Sequence, residues 1–406
     1  MTSAVQKIDL WSSSSFAHGH PAEQYRWLRD NAPVYWHDEP GGRGFWVVTR
    51  YDLVKEASVD HETYSNNFGM TLYDVPLEDL PSMRQMLVFM DPPEHTATRG
   101  LVSRQFLPRQ AASWKETIAA QAAEIVDAVR ERGECDLVTD VIGNLPSSVI
   151  AELLGIPRAE GVRLYELTET MHAGPDEVTD EVRYAATGEM MQYCEQRRHA
   201  KLASPGNDLA SQLALAEVDG MRLGPDRYGV FVLLLINAGG DTVRNLLGGG
   251  VLTLLDRPQT LARLRAELDT LQPLAVEELL RYQSPVVHMR RTTTRAAVLG
   301  GQQIAEGDKV LLFYGAANRD ERVFADPEEF IVDRKNNPHV AFGAHGPHYC
   351  LGAHFARFQI SAMLSEILIE LPDLALAGEP VWLASNFISG PSHLPVVFTP
   401  SARRAA

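Results

Sequence analysis

From residue 315 to residue 350 the chain has no sustained hydrophobic period and carries Asn, Asp, Pro and Gly throughout. It then passes straight into an apolar helical pattern at Leu351. A structureless segment of this length inside a compact protein usually serves a function, so the rest of the fold must be arranged around it. From Asp91-Pro92-Pro93, which stops any preceding helix, helical patterns dominate as far as Gln283. Pro21 to Asn31 reads as a helix, Gly44 to Thr49 as a strand, and residues 66–90 as irregular. Beyond Val287 the period shortens. Arg291 to Val298, Gln302 to Ile304 and Lys309 to Phe313 read as short strands around Gly300-Gly301 and Glu306-Gly307 turns. Leu351 to Ile369 reads as a helix and Leu394 to Thr399 as a last strand. The expected class is mainly α with small β-sheets (α+β). No linker divides the chain, so residues 1–406 are expected to form one domain. Its β-rich part would lie at about 30–60 and 287–314, its helix-rich part at about 91–283 and 351–370.

The formal net charge of -16 argues against nucleic acid and anionic membrane as general partners. The most apolar run, Val230 to Ile236, falls far short of the roughly 20 residues that a membrane span needs. The N-terminus shows no basic stretch followed by an apolar one, as a leader would. A cytoplasmic protein is expected. Its three cysteines, Cys135, Cys194 and Cys350, are too scattered for a disulfide framework.

The densest chemistry is Phe342-Gly-Ala-His-Gly-Pro-His-Tyr-Cys350-Leu-Gly352-Ala-His-Phe-Ala-Arg357. Cys350 could be a small buried hydrophobe beside a glycine-rich turn. His345, His348, Cys350 and His354 could be written as zinc ligands, but their spacing matches no common zinc pattern. The third reading is a thiolate bound to haem iron. The start of a helix presents free N–H groups and a positive dipole end to a sulfur placed there. Gly343, Gly346 and Gly352 remove side chains where a flat macrocycle must approach the backbone.

The stretch resembles the haem-binding signature of the cytochrome P450 family at Phe342, Gly343, His348, Cys350, Gly352, Ala356 and Arg357. The loop between Phe342 and Cys350 is one residue longer than the commonest form. It is similar to that of some bacterial sterol and branched-lipid hydroxylases of the family. Other pieces follow in the family's order. Glu278 and Arg281 form an ExxR pair on one helix face, which in the family joins a buried network with an arginine such as Arg334. Ala238-Gly239-Gly240-Asp241-Thr242 resembles the family's acid–alcohol motif and interrupts an apolar helix, opening it to a ligand. His95, Arg99, Arg291 and His348 match the positions that hold the haem propionates. Pro205-Gly-Asn-Asp-Leu209 resembles a connecting loop, so the likeness runs from about residue 20 to the end.

The resemblance implies the P450 fold, a triangular helical prism enclosing haem b (iron protoporphyrin IX), with Cys350 as the metal ligand. It implies NAD(P)H- and O2-dependent hydroxylation, with Asp241 and Thr242 delivering protons. Cofactor contacts would come from His95, Arg99, Ala238, Arg291, Phe342, Gly343, His348, Cys350 and Gly352. The substrate would be an apolar small molecule: a steroid, a terpenoid or a branched lipid, with a polyketide intermediate also open. By family position its pocket draws on Phe68, Met70, Leu72, Val88 and Phe89. Leu234, Asn237, Val286, Val287, Phe387 and Ile388 complete it. The chain carries no flavin or iron–sulfur signature, and Gly248-Gly-Gly250 lies within a helix. A separate ferredoxin and its reductase would therefore supply electrons to a monomer. The ferredoxin would dock at Arg104, Arg109 and Arg357. Alternatives are a peroxide-using haem-thiolate enzyme and a haem sensor without turnover; the Asp241–Thr242 pair argues against both.

Overall fold

The computed structural model describes residues 8–172, 178–218 and 220–404. Residues 1–7, part of the stretch read for a leader, lie outside them. The framework is helical, organised on the central helix Pro225–Leu255. Apolar residues run around most of its circumference, as in a helix buried on several sides. It packs against helices Asn144–Leu153, Arg158–His172, Asp180–Ala203 and Ala353–Glu370. By length and composition it could cross a membrane, yet most of its apolar window is covered by protein.

The expected interruption at Gly239-Gly240 is absent: the helix is continuous. The glycines provide clearance instead. A Cβ on Gly240 would stand 2.6 Å from the Tyr165 ring, and one on Gly239 would meet Ile150 at 3.6 Å. Gly240 thus lets the helix that carries Tyr165 approach the acid–alcohol segment, while Gly239 lies on the cavity side.

One five-stranded sheet runs in the order Val34–His37, Phe45–Val48, Lys309–Phe313, His288–Thr293 and Tyr64–Ser65. The N-terminal strands and the strands after Val287 therefore share a sheet. Strand alternation sends Val310 and Leu312 to one face, with Val54 and Ala57. Leu311 and Phe313 face the other way, against Tyr25 and Leu28. Three boundaries differ from expectation. Arg291 to Val298 is two strands, His288–Thr293 and Ala297–Leu299, separated at residues 294–296. Leu394 to Thr399 contributes only Pro395–Val397, preceded by Pro391–His393. The helix after Cys350 is Ala353–Glu370. A strand missed in the helical region, Glu134–Asp136, pairs with Pro395–Val397 across the chain, and no local pattern announces such pairing.

The aperiodic segment is held by a buried ionic hub. Helix Leu268–Gln283 places Glu278 and Arg281 on one face, both 0% exposed. Arg281 donates to both Glu278 oxygens at 2.8 Å, and Arg334 Nε donates to Glu278 Oε2 at 3.0 Å. The Ile331 N–H and the Asn337 amide add bonds at 2.9 and 3.1 Å. Arg281 also donates to the carbonyls of Asn318, Pro327 and Glu329. Backbone that makes no ladder is satisfied here by side chains, which is how a segment without secondary structure keeps one shape.

Candidate active site

Cys350 ends a loop that reverses on left-handed backbone at Gly343, His345 and Gly346. Gly346 has φ +85°, and a Cβ there would stand 2.3 Å from the Ser58 carbonyl oxygen, so only glycine fits. The Cys350 N–H donates to the Phe342 carbonyl at 2.9 Å, which closes the loop beneath the thiol. Cys350 opens onto a cavity yet is walled by protein behind. That burial pushes its thiol up; the Gly352 N–H and the charges of Arg99 and Arg357 work against it.

The cavity has an empty volume of about 1660 Å³, part of it open to solvent. Its floor is formed by Phe342, Gly343, His348, Cys350 and Gly352. Ala238 and Thr242, one turn apart on the central helix, face it together with Leu234. Met70, Val88 and Val286 complete the wall among the expected substrate residues, and His95, Arg99 and Arg291 stand at one edge.

The other expected pocket residues do not line this cavity. Leu72 and Val287 belong to the core beside Phe45 and Phe313; Val287 follows Val286 on a strand-like stretch and points the opposite way. Phe68 lies under the Arg84 guanidinium, 5.1 Å from it, on the outside. Phe89 is buried apart from the wall, Phe387 packs on the His288 ring, and Ile388 pairs with the Val286 backbone. Asn237 precedes Ala238, so helical rotation of about 100° per residue turns it off the wall. The same rotation takes Asp241 off it. Its Oδ1 accepts from the Tyr165 hydroxyl at 2.5 Å and pairs with Arg244 at 3.2 Å. Thr242 donates to the Ala238 carbonyl at 3.3 Å.

At the cationic edge, the His95 and His348 rings lie 4.2 Å apart. Both nitrogens of His95 and Nε2 of His348 are buried without a partner. Burial, then the neighbouring Arg99, lowers His95 to about 4; burial, then Arg291 and His95, lowers His348 to about 2. Arg99 bonds the Tyr349 carbonyl at 2.7 Å, and Arg291 bonds the Arg290 carbonyl and the Tyr314 hydroxyl. Neither arginine has a carboxylate in ion-pair contact among the described residues. Buried donors and cations of this kind call for an anion. The two propionates of a haem meet that requirement, with the apolar slot between them and the Cys350 thiol for the macrocycle. The residues present therefore fit the group.

Sequence reading missed Tyr165 and Tyr314, each an ordinary apolar-face position in its own segment. Of the docking arginines, Arg104 and Arg109 are exposed. Arg357 is not free for a partner, because Glu277 grips it at 2.6 and 2.9 Å.

Comparison with known proteins places these features in context. The family model for cytochrome P450 matches residues 163–371. A steroid C26-monooxygenase of Mycolicibacterium smegmatis is 38% identical, over 97% of this chain and 97% of its own. A methyl-branched lipid omega-hydroxylase of Mycobacterium bovis is 37% identical, over 92% of this chain and 90% of its own. The solved structure of a Mycobacterium marinum cytochrome P450 in complex with pseudoionone superposes with a TM-score of 0.90. It is 35% identical and covers 98% of this chain and 100% of its own.

Proposed function

This chain belongs to the cytochrome P450 family, and on that footing we propose that it is a haem-thiolate monooxygenase of apolar small molecules. It would insert one oxygen atom of O2 into a C–H bond of a steroid, terpenoid or branched lipid. The observation that carries this reading is the cavity, with a cysteine thiol on its floor and, at one edge, unpartnered buried histidine nitrogens beside two arginines that have no carboxylate in ion-pair contact among the described residues. Cys350 would bind the iron, and coordination deprotonates a thiol outright, which overcomes the burial that raises it. His95, Arg99, Arg291 and His348 would hold the propionates. Haem bound this way supplies the activation of O2 and the oxidation of the C–H bond.

The chain's own residues do the rest. Met70, Val88, Leu234, Val286 and Met289 offer substrate an apolar wall that excludes water and fixes orientation. Thr242 presents a hydroxyl at the wall, where it can hold or pass a proton. Asp241, one residue back and outside the wall, is the carboxylate that resupplies it. The Tyr165 hydroxyl and Arg244 fix where that carboxylate waits. Electrons would arrive from a separate ferredoxin and its reductase, docking at the exposed Arg104 and Arg109. We place the protein in the cytoplasm; among the described residues, the one helix long and apolar enough for a bilayer is the packed central helix. The substrate class follows the relatives named for steroids and methyl-branched lipids.

The test is turnover under labelled oxygen. Haem-loaded protein is supplied with NADPH, a ferredoxin and its reductase, and a panel of steroids, terpenoids and branched lipids. One panel member is expected to give a hydroxylated product carrying a single atom from O2. Product labelled only from peroxide or water would overturn the reading.

A further inference from the structure

Behind the loop that carries Cys350, on the side away from the cavity, lies an ion pair that the function above does not use. Glu277 sits beside Glu278 on helix Leu268–Gln283, turned toward the cysteine loop rather than into the ionic hub. Its Oε1 accepts from Arg357 Nε at 2.6 Å and its Oε2 from Arg357 Nη2 at 2.9 Å, a two-toothed fork. The same Oε2 is 2.9 Å from His339 Nε2. The Ala341 N–H donates to His339 Nδ1 at 3.2 Å, so Nε2 carries the proton and donates to Glu277. The His339 side chain is 3% exposed, while the Glu277 and Arg357 side chains are 30% and 27% exposed, half-withdrawn from solvent.

The fork aims the arginine. Its guanidinium lies 4.6 Å over the Phe342 ring, and Phe342 accepts the Cys350 N–H through its carbonyl. Arg357 also bonds the Tyr349 side chain and donates to the Ala353 carbonyl, so it spans both sides of the cysteine. Its charge reaches the Cys350 sulfur. Glu277 in turn is held well down, at about 2: burial would raise it, and the Arg357 fork and the His339 N–H outweigh that. A fixed, fully charged pair therefore stands against the one residue whose electron density matters most.

We infer that Glu277 and Arg357 are positioning residues that act through Phe342 and Cys350 as a balanced charge pair setting the reduction potential of the iron. This rests on the haem-thiolate reading above. Reduction adds one negative charge to the iron and its ligands. A nearby positive charge stabilises the reduced form and a nearby negative charge opposes it, more strongly in the low dielectric beneath the loop than in water. Arg357 raises the potential, Glu277 offsets it, and His339 fixes the carboxylate that does so.

The experiment is a spectroelectrochemical titration of haem-loaded wild type, Arg357→Gln, Glu277→Gln and the double variant, with melting temperature and the ferrous–CO spectrum recorded for each. Arg357→Gln is expected to shift the midpoint potential negatively and Glu277→Gln positively. The two shifts should largely cancel in the double variant, and Arg357→Lys, which keeps the charge without the fork, should stay near wild type. If Arg357→Gln does not load haem, the signs of Glu277→Gln and Arg357→Lys decide. Potentials that do not move while the melting temperature falls, or single shifts of the same sign, would overturn the inference. A wild type without a thiolate-type CO band would instead defeat the haem-thiolate reading beneath it.

Discussion

Replacing Glu278 with alanine is expected to destabilise the fold by about 3–5 kcal/mol, the cost of breaking a buried ion pair from one side. Its carboxylate is fully buried and takes bonds from Arg281, Arg334, Asn337 and the Ile331 N–H. Removing it leaves two buried guanidinium groups facing each other with no compensating charge. Whole proteins are stable by only about 5–15 kcal/mol, so the loss should show as low soluble yield and an early urea transition. Glu278→Gln keeps the shape and one acceptor, and should fall between. The effect should spread to haem loading, because Arg281 holds the carbonyls of Asn318, Pro327 and Glu329 that shape the segment leading to Cys350. A Glu278→Ala protein that melts with wild type and loads haem normally would show that the hub does not organise that segment.

Asp241→Asn is expected to lower turnover by about 10²-fold, the lower end of what a positioned acid–base group contributes, while leaving substrate binding intact. The reason is placement. Asp241 lies outside the cavity wall, so it touches no substrate, and asparagine can still accept from the Tyr165 hydroxyl. What asparagine cannot do is pass a proton to the Thr242 side of the helix. Substrate-induced spectral shifts should therefore match wild type, the solvent isotope effect on turnover should grow, and binding constants should not change. A variant that turns over at the wild-type rate would remove Asp241 from proton delivery and leave its contact with Tyr165 as packing between helices.

Much of this site was legible because its chemistry is concentrated in short local motifs. The loop from Phe342 to Cys350 needs glycine at Gly343 and Gly346, where the backbone turns left-handed or meets Ser58, and those needs are written residue by residue. The Glu278–Arg281 spacing is a helical one and could be read as a shared face before its partners were seen. What stayed hidden depends on rotation and on distant partners. Asp241 and Thr242 are adjacent in sequence but lie on different faces, because a helix turns about 100° per residue. Val286 and Val287 separate for the strand equivalent of that reason. Tyr165 meets Asp241 only because Gly240 lets two helices close, and the sequence showed the glycine without its neighbour. The glycine pair divides its role: Gly239 lines the cavity, whereas Gly240 opens toward another helix. Glu277 stands beside the ExxR motif, and its partners Arg357 and His339 are too distant in sequence for any local pattern to show them.

Everything in the reaction depends on sulfur bound to iron, and the CO-difference spectrum of dithionite-reduced protein reports that bond. Haem-loaded wild type is expected to show the red-shifted Soret band of a thiolate-ligated ferrous–CO complex, and Cys350→Ala is expected to lose it. A wild type that binds haem and CO without that band, or a Cys350→Ala variant that keeps it, would contradict the assignment of Cys350 as the ligand.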